Sequence, residues 1–196
     1  MHWKNSFRRE KVGCFKKGVV WIMLLPAQLF AEELKLKNAA TWYDTTRYMY
    51  WHGGCGASDI DLSDNTYENH QFVSVDKDDK VIGYIAYRVD WNALSVDQFG
   101  AISFDIGNAV MAKDLAQAID DIFHKYHLNR VEWMCYVDNP AIKGYRRFIK
   151  RYGGRECAYY RQVTRLLDGK LHDAVSFEIL ADEYKGVVHS ADNGRN

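Results

Sequence analysis

Several short stretches of the chain either alternate apolar and polar residues with a two-residue period or form short apolar runs, and both patterns are typical of β-strands. Leucine alternates with lysine in residues 34–37. Residues 71–75 and 81–89 are apolar, β-branched and aromatic runs on either side of a charged turn, and they predict a β-hairpin. Residues 99–106 and 130–137 predict two further strands.

Helical spacing and turn signals occupy most of the remaining chain. Aromatic residues in 41–51 recur at helical intervals before two glycines, residues 109–126 carry apolar side chains three and four apart, and residues 140–152 open on a proline. Each of these segments predicts a helix. An Asp-Gly turn joins residues 159–167 to residues 171–180 and predicts a second hairpin.

This order of elements predicts a mixed α/β (α+β) fold with a central sheet and flanking helices. The chain has 196 residues, of which 47% are hydrophobic, so it can build one buried core. We expect a single domain over residues 34–184. An N-terminal extension, residues 1–33, precedes it, and a polar tail, residues 185–196, follows it.

The N-terminal extension allows three interpretations. Two lysines at 16–17, the apolar run 19–25 and small residues in 27–31 resemble the parts of a signal peptide. The apolar run is too short to span a membrane, which needs about 20 apolar residues. A strand or short helix packed on the domain, or an upstream extension, are the alternatives. We favour these two over secretion and expect a cytoplasmic protein, because the chain shows no disulfide framework.

Charge and cysteine content exclude several classes of function. The 26 Lys and Arg residues balance 26 Asp and Glu residues, so a general nucleic-acid binder with a basic excess is not expected. The four cysteines form no Cys-x-x-Cys pair, which argues against a zinc knuckle or a thioredoxin motif. His124 and His127 have a spacing that metals use, but no third ligand converges on them, and we expect no metal site.

The junction of residues 104–115 joins the end of a predicted strand to the start of a predicted helix. The first turn of a helix presents free N–H groups and the positive end of the dipole, so it can hold a phosphate. Gly107, Ala109 and Ala112 would let a ligand approach the backbone, and Lys113 would add a charge. The alternative is an ordinary strand–helix connection, since the P-loop motif is absent.

A second junction of the same kind, residues 138–145, contains Asn139. Ligands of open α/β sheets bind beyond the carboxyl ends of the strands. Two such junctions on neighbouring strands would line one crevice. Taken alone, Asn139 is also explained as a helix-capping residue.

From residue 34 to residue 184 the chain resembles the GNAT superfamily of acyl-CoA-dependent N-acetyltransferases. The resemblance rests on the order of elements, on Val137-Asp138-Asn139-Pro140-Ala141 before a basic and aromatic helix ending in Tyr-Gly-Gly, and on the closing hairpin. It implies a GNAT-like fold, acetyl-CoA as co-substrate, and direct transfer of the acetyl group to a primary amine. The acceptor could be a small molecule, a peptide N-terminus or a protein lysine.

The resemblance also implies a set of site residues. The pyrophosphate loop of the family reads Q/R-x-x-G-x-G/A, and Gly107, Val110 and Ala112 stand at its three defining positions, of which only Ala112 fits. Backbone amides would still bind pyrophosphate, because they need no particular side chain. The implied co-substrate contacts are Phe104, Ile106, Gly107, Ala109, Val110, Met111, Ala112, Lys113, Asp114 and Asn139.

For the chemical step, the resemblance implies a tyrosine that protonates the leaving thiolate and a carboxylate that accepts the amine proton. Tyr145 is the candidate acid, although it lies about one turn from the usual position of this tyrosine. Asp105 is the candidate base, with Glu132 as the alternative. The sequence also leaves open a non-catalytic CoA-binding or interaction module on the same fold. We expect a monomer or a homodimer.

Two other surfaces have candidate roles. An aromatic cluster in residues 42–52 either shapes the acceptor pocket or packs in the core. The helix after Asn139 carries a basic face that would meet the CoA phosphates, an anionic partner or only water. The residues of that face are Lys143, Arg146, Arg147, Lys150 and Arg151.

Overall fold

The chain alternates between strands and helices in the computed structural model, which describes residues 24–53 and 60–186. The first half contains β1 (Leu24–Pro26), a 3₁₀ turn (Ala27–Phe30), α1 (Ala31–Thr41), α2 (Met49–His52), β2 (Asn69–Val75), β3 (Val81–Asp90) and β4 (Ser95–Ser103). The second half contains α3 (Ala109–His124), β5 (Arg130–Tyr136), α4 (Ile142–Tyr152), β6 (Arg155–Arg165) and β7 (Leu171–Leu180).

The strands form one seven-stranded sheet in the order β1-β2-β3-β4-β5-β7-β6. Neighbouring strands are antiparallel except for β4 and β5, which run parallel and are joined through α3. Parallel strands need a crossover of this kind, whereas antiparallel neighbours can be joined by a tight turn. The predicted fold class, a mixed central sheet with flanking helices in one domain, is confirmed.

Helices cover both faces of the sheet. The core beneath α3 and α4 includes Ile122 and Phe177, and the core beneath the 3₁₀ turn and α1 includes Leu34. Successive strand residues alternate between these cores, so Ile85 of β3 faces the α3 side and Tyr84 faces the α1 side. We call these two sides of the sheet the α3 face and the α1 face.

Most of the predicted elements are confirmed, with ends shifted by a few residues. They include both hairpins, α3, β5 and α4. Helix α4 begins at Ile142 rather than at Pro140, because the Asn139 side chain first accepts the Ala141 N–H and closes a turn of its own. Strand β4 begins four residues earlier than predicted, at Ser95, and ends at Ser103 rather than at Ile106.

The strand predicted at residues 34–37 is wrong, because these residues lie inside α1. Leu34 is 1% exposed and Leu36 is 72% exposed, so the alternation reflects one buried contact. Glu32 and Glu33 in the first turn favour the helix start. The helix predicted over residues 41–51 is reduced to α2, since α1 ends at Thr41 and turns occupy most of the interval.

The domain extends in the N-terminal direction past its predicted start at residue 34. Strand β1 pairs with β2 along three residues, and Ala27 is fully buried. The backbone N–H of Val81 donates to Glu33 Oε1 at 2.9 Å. Residues 24–33 are therefore part of the folded unit, whereas the lysines at 16–17 and most of the apolar run lie outside the described residues. None of the helices in 24–53 and 60–186 is long and apolar enough to cross a bilayer.

Candidate active site

The parallel strands β4 and β5 part shortly after they begin. They pair only through Ser95 with Arg130 and Val96 with Val131. Beyond these pairs β4 remains bonded to β3, while β5 remains bonded to β7 along its whole length. The backbones of the two strands therefore face each other across an open cleft in the middle of the sheet.

A β-bulge in β4 accompanies this parting. Ala86 pairs with Gly100 and Arg88 with Asp97, so Tyr87 alone opposes two residues of β4, Gln98 and Phe99. Gln98 has a φ of 52°. A bulge bends its strand and takes one residue out of the hydrogen-bond ladder. The backbone at the cleft can consequently offer an N–H group to a ligand instead of to a strand.

A cavity of about 850 Å³ occupies the cleft and reaches both faces of the sheet. On the α1 face its wall includes Tyr50 and Tyr84, and on the α3 face it includes Trp133 and Tyr145. The remaining strand lining comes largely from β4 and β5. Those residues are Asp97, Gln98, Phe99, Gly100, Ala101, Glu132, Met134, Cys135 and Tyr136. Two ligands can therefore meet in the cleft from opposite faces.

Carboxylates predominate among the charged side chains of the cavity wall. Asp61, Asp97 and Glu132 line it, together with one cation, Arg88. The Arg88 guanidinium contacts both carboxylate oxygens of Asp97, at 3.0 and 2.6 Å. Among the described residues, the wall thus carries more negative than positive charge, which favours a cationic ligand.

Glu132 stands on β5 at the cleft, where two donors hold its carboxylate. The Ser176 hydroxyl donates to Oε1 at 2.7 Å, and Arg130 donates to Oε2 at 2.6 Å. Arg130 also bonds Glu178. Each carboxylate oxygen has a second lone pair, so Glu132 can still accept a proton.

The Tyr145 ring lies on the α3 side of the cavity. It packs against Trp133 and Phe177, with ring centres 5.8 and 5.9 Å apart. Burial, followed by the charge of Cys135, raises the pKa of the Tyr145 phenol well above its usual value. A phenol is protonated at neutral pH with or without this shift, so Tyr145, which lines the cavity, is a candidate proton donor.

Cys135 is the thiol in the cavity wall. Burial raises the pKa of this thiol to about 12, while the nearby Arg146 guanidinium lowers it only partly. The thiolate is the nucleophilic form of cysteine, so Cys135 is poorly suited to covalent catalysis. Cys135 and Cys157 are both free thiols, and Cys14 and Cys55 lie outside the described residues.

The first turn of α3 presents one face to solvent and one to the core. Ala109, Ala112 and Lys113 are exposed, as a phosphate-binding turn requires. Met111 and Asp114 instead point inward, so their side chains are not available to a ligand and only their backbone could contribute. The predicted contacts of Met111 and Asp114 with a co-substrate thus stay a prediction for their backbone groups alone.

Met111 and Asp114 have partners in the sheet. The Met111 sulfur packs so closely on Gly83 that a Cβ at that position would lie 2.3 Å from it. The Ser74 hydroxyl donates to Asp114 Oδ2. The Asn108 side chain accepts the Val110 N–H at 2.9 Å and caps the helix.

The loop before α3 lies outside the cavity wall. Asp105 is exposed, does not line the cavity, and accepts the Asn108 side-chain N–H at 2.9 Å. It therefore supports the start of α3 and is not placed to act as base. Ile106 and Gly107 are exposed, and Gly107 has a φ of 90° with open space around it. Phe104 packs against the core of the α1 face.

Asn139 lines the cavity at the end of β5. Its side-chain oxygen accepts the Ala141 N–H at 2.9 Å, and this leaves its NH₂ group as the available donor. Tyr145, Glu132 and Asn139 thus meet at one cavity, whereas the α3 turn lies beyond the end of β4. The sequence prediction missed the bulge and Ser176. The signal that could have revealed the bulge was Gly100, because a glycine inside a strand pattern often marks a bulge.

The aromatic cluster of residues 42–52 lies partly in the cavity wall, and the basic face of α4 is largely exposed. In the aromatic cluster, Tyr50 and Trp51 line the cavity, whereas the Trp42 ring stacks on His52 at 3.7 Å. On the basic face of α4, Arg146 pairs with Glu156 at 2.7 Å. The other cations of that face are exposed.

The two histidines at the end of α3 do not form part of a larger cluster. His124 contacts Asp120 at 3.1 Å. Within residues 24–53 and 60–186, no group of three or more His, Cys, Asp or Glu side chains could hold a metal ion.

No protein-family model and no curated protein matches the sequence. Solved structures do match the fold. A chimera of the spermidine N-acetyltransferase SpeG from Vibrio cholerae with hSSAT is 15% identical, with a TM-score of 0.58 over 82% of this chain and 96% of the other. A ribosomal-protein-S5-alanine acetyltransferase from Vibrio fischeri is 14% identical, with a TM-score of 0.56 over 79% and 91%. These likenesses establish that the chain has the GNAT fold.

Proposed function

We propose that this protein transfers an acetyl group from acetyl-CoA to a primary amine. The observation that carries the proposal is the cleft between β4 and β5, which opens to both faces of the sheet. The acyl donor and the amine can approach from opposite faces and meet inside the sheet. Such a passage suits direct transfer between two substrates, because it brings the reacting groups together.

Three features of the structure support acetyl-CoA as the proposed co-substrate. The bulge at Gln98 supplies a backbone N–H beside the cleft. The open space around Gly107 and the exposed first turn of α3 suit a pyrophosphate, with Lys113 as the nearby cation. Asn139 would donate to the arm of the co-substrate. When bound, acetyl-CoA supplies a thioester whose carbonyl carbon accepts a nucleophile.

Amine recognition is assigned to the α1 face. Asp61, Asp97 and Glu132 would draw an ammonium ion into the cavity. Glu132 then takes the proton of the amine, directly or through a water molecule, because its two donors leave lone pairs free. Glu132 therefore replaces Asp105 as the proposed base.

The α3 side supplies the remaining groups of the proposed mechanism. A bulge N–H polarises the thioester carbonyl. The Tyr145 phenol is protonated and protonates the departing thiolate. Cys135 stays a thiol, so the amine attacks without an acyl-enzyme. We place the activity in the cytoplasm, since Cys135 and Cys157 are unpaired thiols.

The acceptor classes to test follow from the chemistry and from the structural neighbours. Those neighbours are named for spermidine and for a ribosomal-protein alanine. A panel of a polyamine, a peptide with N-terminal alanine, a lysine peptide and a simple arylalkylamine covers the open possibilities. CoA-thiol release measures turnover, and calorimetry measures acetyl-CoA binding. Binding without turnover of any amine would favour the non-catalytic module.

Filling the cleft tests the proposal directly. An ideal Cβ at Gly100 has its nearest neighbour, the Gln98 carbonyl oxygen, 3.9 Å away, so a side chain can start there without a clash, and the leucine of Gly100→Leu would extend into the cavity that Gly100 lines. We expect kcat/KM to fall at least about tenfold, equivalent to about 1.4 kcal/mol. Gly144→Leu is the matched control, because Gly144 lies outside the cavity wall with nothing within 4 Å of its Cβ position. Equal activity of the two variants would contradict the proposed site.

A further inference from the structure

His172 connects two loops at the edge of the cavity. Its Nδ1 lies 2.7 Å from Asp138 Oδ2, in the turn after β5. Its Nε2 lies 3.0 Å from Asp168 Oδ1, in the turn between β6 and β7. The His172 side chain is only 6% exposed. Ionised carboxylates only accept hydrogen bonds, so both ring nitrogens must carry protons to satisfy both contacts.

The same turn forms part of the cavity wall. The Tyr50 hydroxyl donates to the Asp138 carbonyl oxygen at 3.0 Å, and the Asn139 N–H donates to the Tyr136 carbonyl oxygen at 3.1 Å. Tyr50, Tyr136 and Asn139 all line the cavity. A displacement of Asp138 would therefore move a wall that meets both proposed substrates.

We propose that His172 is a positioning residue that, as an imidazolium bridging Asp138 and Asp168, holds this wall in its active geometry. The effect on catalysis rests on the proposed function, whereas the bridge itself does not. Loss of one ring proton would turn a nitrogen lone pair toward a carboxylate, and the repulsion would release one loop. The cavity wall that contains Asn139 is then held less firmly in place. Because Asn139 is a proposed contact of acetyl-CoA, the co-substrate binds less tightly.

The surroundings of His172 favour the charged ring. Its hydrogen bond to Asp168 and the contacts with Asp138 raise the pKa of His172 above its usual value, against an opposing effect of burial. The charged and titratable groups that face it are Asp138, Asp168, Asp173, Tyr50 and Tyr136. The three carboxylates favour the imidazolium, and the two rings approach it edge-on.

The pH dependence follows from the direction of this shift. A pKa that is raised in the folded state adds stability that is fully present below about pH 6.5 and is lost as the pH rises through the folded value. The bridge is thus intact below about pH 6.5, provided that the carboxylates are ionised. It weakens in alkaline solution.

Two variants and a control test the inference in the full chain. His172→Gln removes the imidazolium. Asp168→Asn keeps an oxygen for the Lys170 N–H but removes a charge beside His172. His124→Gln is the matched control, because His124 also contacts an aspartate but lies outside the cavity wall.

The first measurement needs no substrate. Nitrogen NMR of histidine-labelled protein, with His172 assigned by difference from His172→Gln, should show both ring nitrogens protonated at pH 7. Asp168→Asn should lower the pH at which this signal titrates, and His124→Gln should leave it unchanged. A neutral His172 ring at pH 7 would overturn the proposal whether or not the protein is an acetyltransferase.

The second measurement follows the cavity wall. We expect the KM for acetyl-CoA, or its Kd if no amine is turned over, to rise about tenfold in wild type across the His172 titration. Asp168→Asn should shift this rise to lower pH, and His172→Gln should abolish the pH dependence. If both variants showed the same pH dependence of the KM or Kd for acetyl-CoA as the wild type, the positioning role would be rejected. It would also be rejected if the wild-type value did not change with pH. Failure to bind acetyl-CoA at any pH would reject the positioning role with the proposed function, while the NMR result would still stand.

Discussion

Two neighbouring side chains of the cavity illustrate how burial decides chemistry at the scale of the residue. Tyr145 and Cys135 both have raised pKa values, so both hold their protons at neutral pH. A proton donor must hold its proton at neutral pH, as any tyrosine does, and the raised pKa makes Tyr145 a weaker acid than a free phenol; a nucleophilic thiol must instead lose its proton. With a pKa of about 12, only about one Cys135 side chain in 10⁵ is a thiolate at pH 7.

These states predict opposite outcomes for two substitutions. Tyr145→Phe removes the proposed acid and should lower kcat about a hundredfold while changing the KM for acetyl-CoA little. Cys135→Ala serves as the control in the same wall and should retain turnover within about threefold, since direct transfer needs no thiolate. Steady-state kinetics of CoA release measure both. A Cys135→Ala protein that binds acetyl-CoA but cannot turn over would instead indicate an acyl-enzyme.

Some residues predicted to act in the site line the cavity, and others do not. The roles of Tyr145 and Asn139 were implied by the family resemblance, and both residues line the cavity. Asp105 was proposed from its place at the end of a strand, but it does not line the cavity and its carboxylate accepts the Asn108 side-chain N–H. Sequence spacing locates a residue along an element. Which group its side chain meets depends on neighbours that are distant in the chain.

At the scale of the element, α3 is held against the sheet by two inward contacts in its first turns. Met111 packs on Gly83, and Ser74 donates to the fully buried Asp114. These contacts direct the outward face of the same turns, with Ala112 and Lys113, toward solvent. The orientation of the proposed phosphate-binding turn therefore depends on polar and apolar contacts with β2 and β3.

Ser74→Ala tests this anchor. The substitution takes one hydrogen bond from a buried carboxylate and should lower the free energy of unfolding by about 1–3 kcal/mol. Ser103→Ala is the control, because Ser103 donates at an exposed position to the Asp105 carbonyl oxygen. Chemical denaturation followed by circular dichroism compares the two variants. If both lose the same small amount, Asp114 does not depend on Ser74.

The strands and helices that the sequence predicted correctly are those with long and unambiguous apolar patterns. The hairpin of β2 and β3 combines two apolar, largely buried runs with a charged turn, and α3 has a broad apolar face. The prediction at residues 34–37 failed because four residues are too few to separate a strand from a helix. There, Leu34 alone is buried and Leu36 is exposed.

At the scale of the whole molecule, the first described residues complete the sheet and its α1-face core. Strand β1 covers the outer edge of β2, and Ala27 fills a buried position. Glu33 accepts a hydrogen bond from the start of β3. The domain boundary predicted at residue 34 would divide this unit.

A pair of truncated chains tests that boundary. A chain that begins at Leu34 should have a Tm at least about 5 °C below that of a chain that begins at Leu24, since a loss of about 2 kcal/mol shifts Tm by about 4–8 °C at this size. Differential scanning calorimetry measures the difference. Equal Tm values would show that β1 and the 3₁₀ turn add no stability.

The sequence alone determined which segments form most of the strands and helices, because alternating burial and helical spacing are local consequences of backbone geometry. It also indicated one domain of a mixed α/β class. The parting of β4 from β5, the site on both sides of the sheet and the bridge through His172 emerged only from the tertiary structure. Each brings together residues that are far apart in the chain, such as His172 and Asp138, and such contacts leave no periodic signal in the sequence.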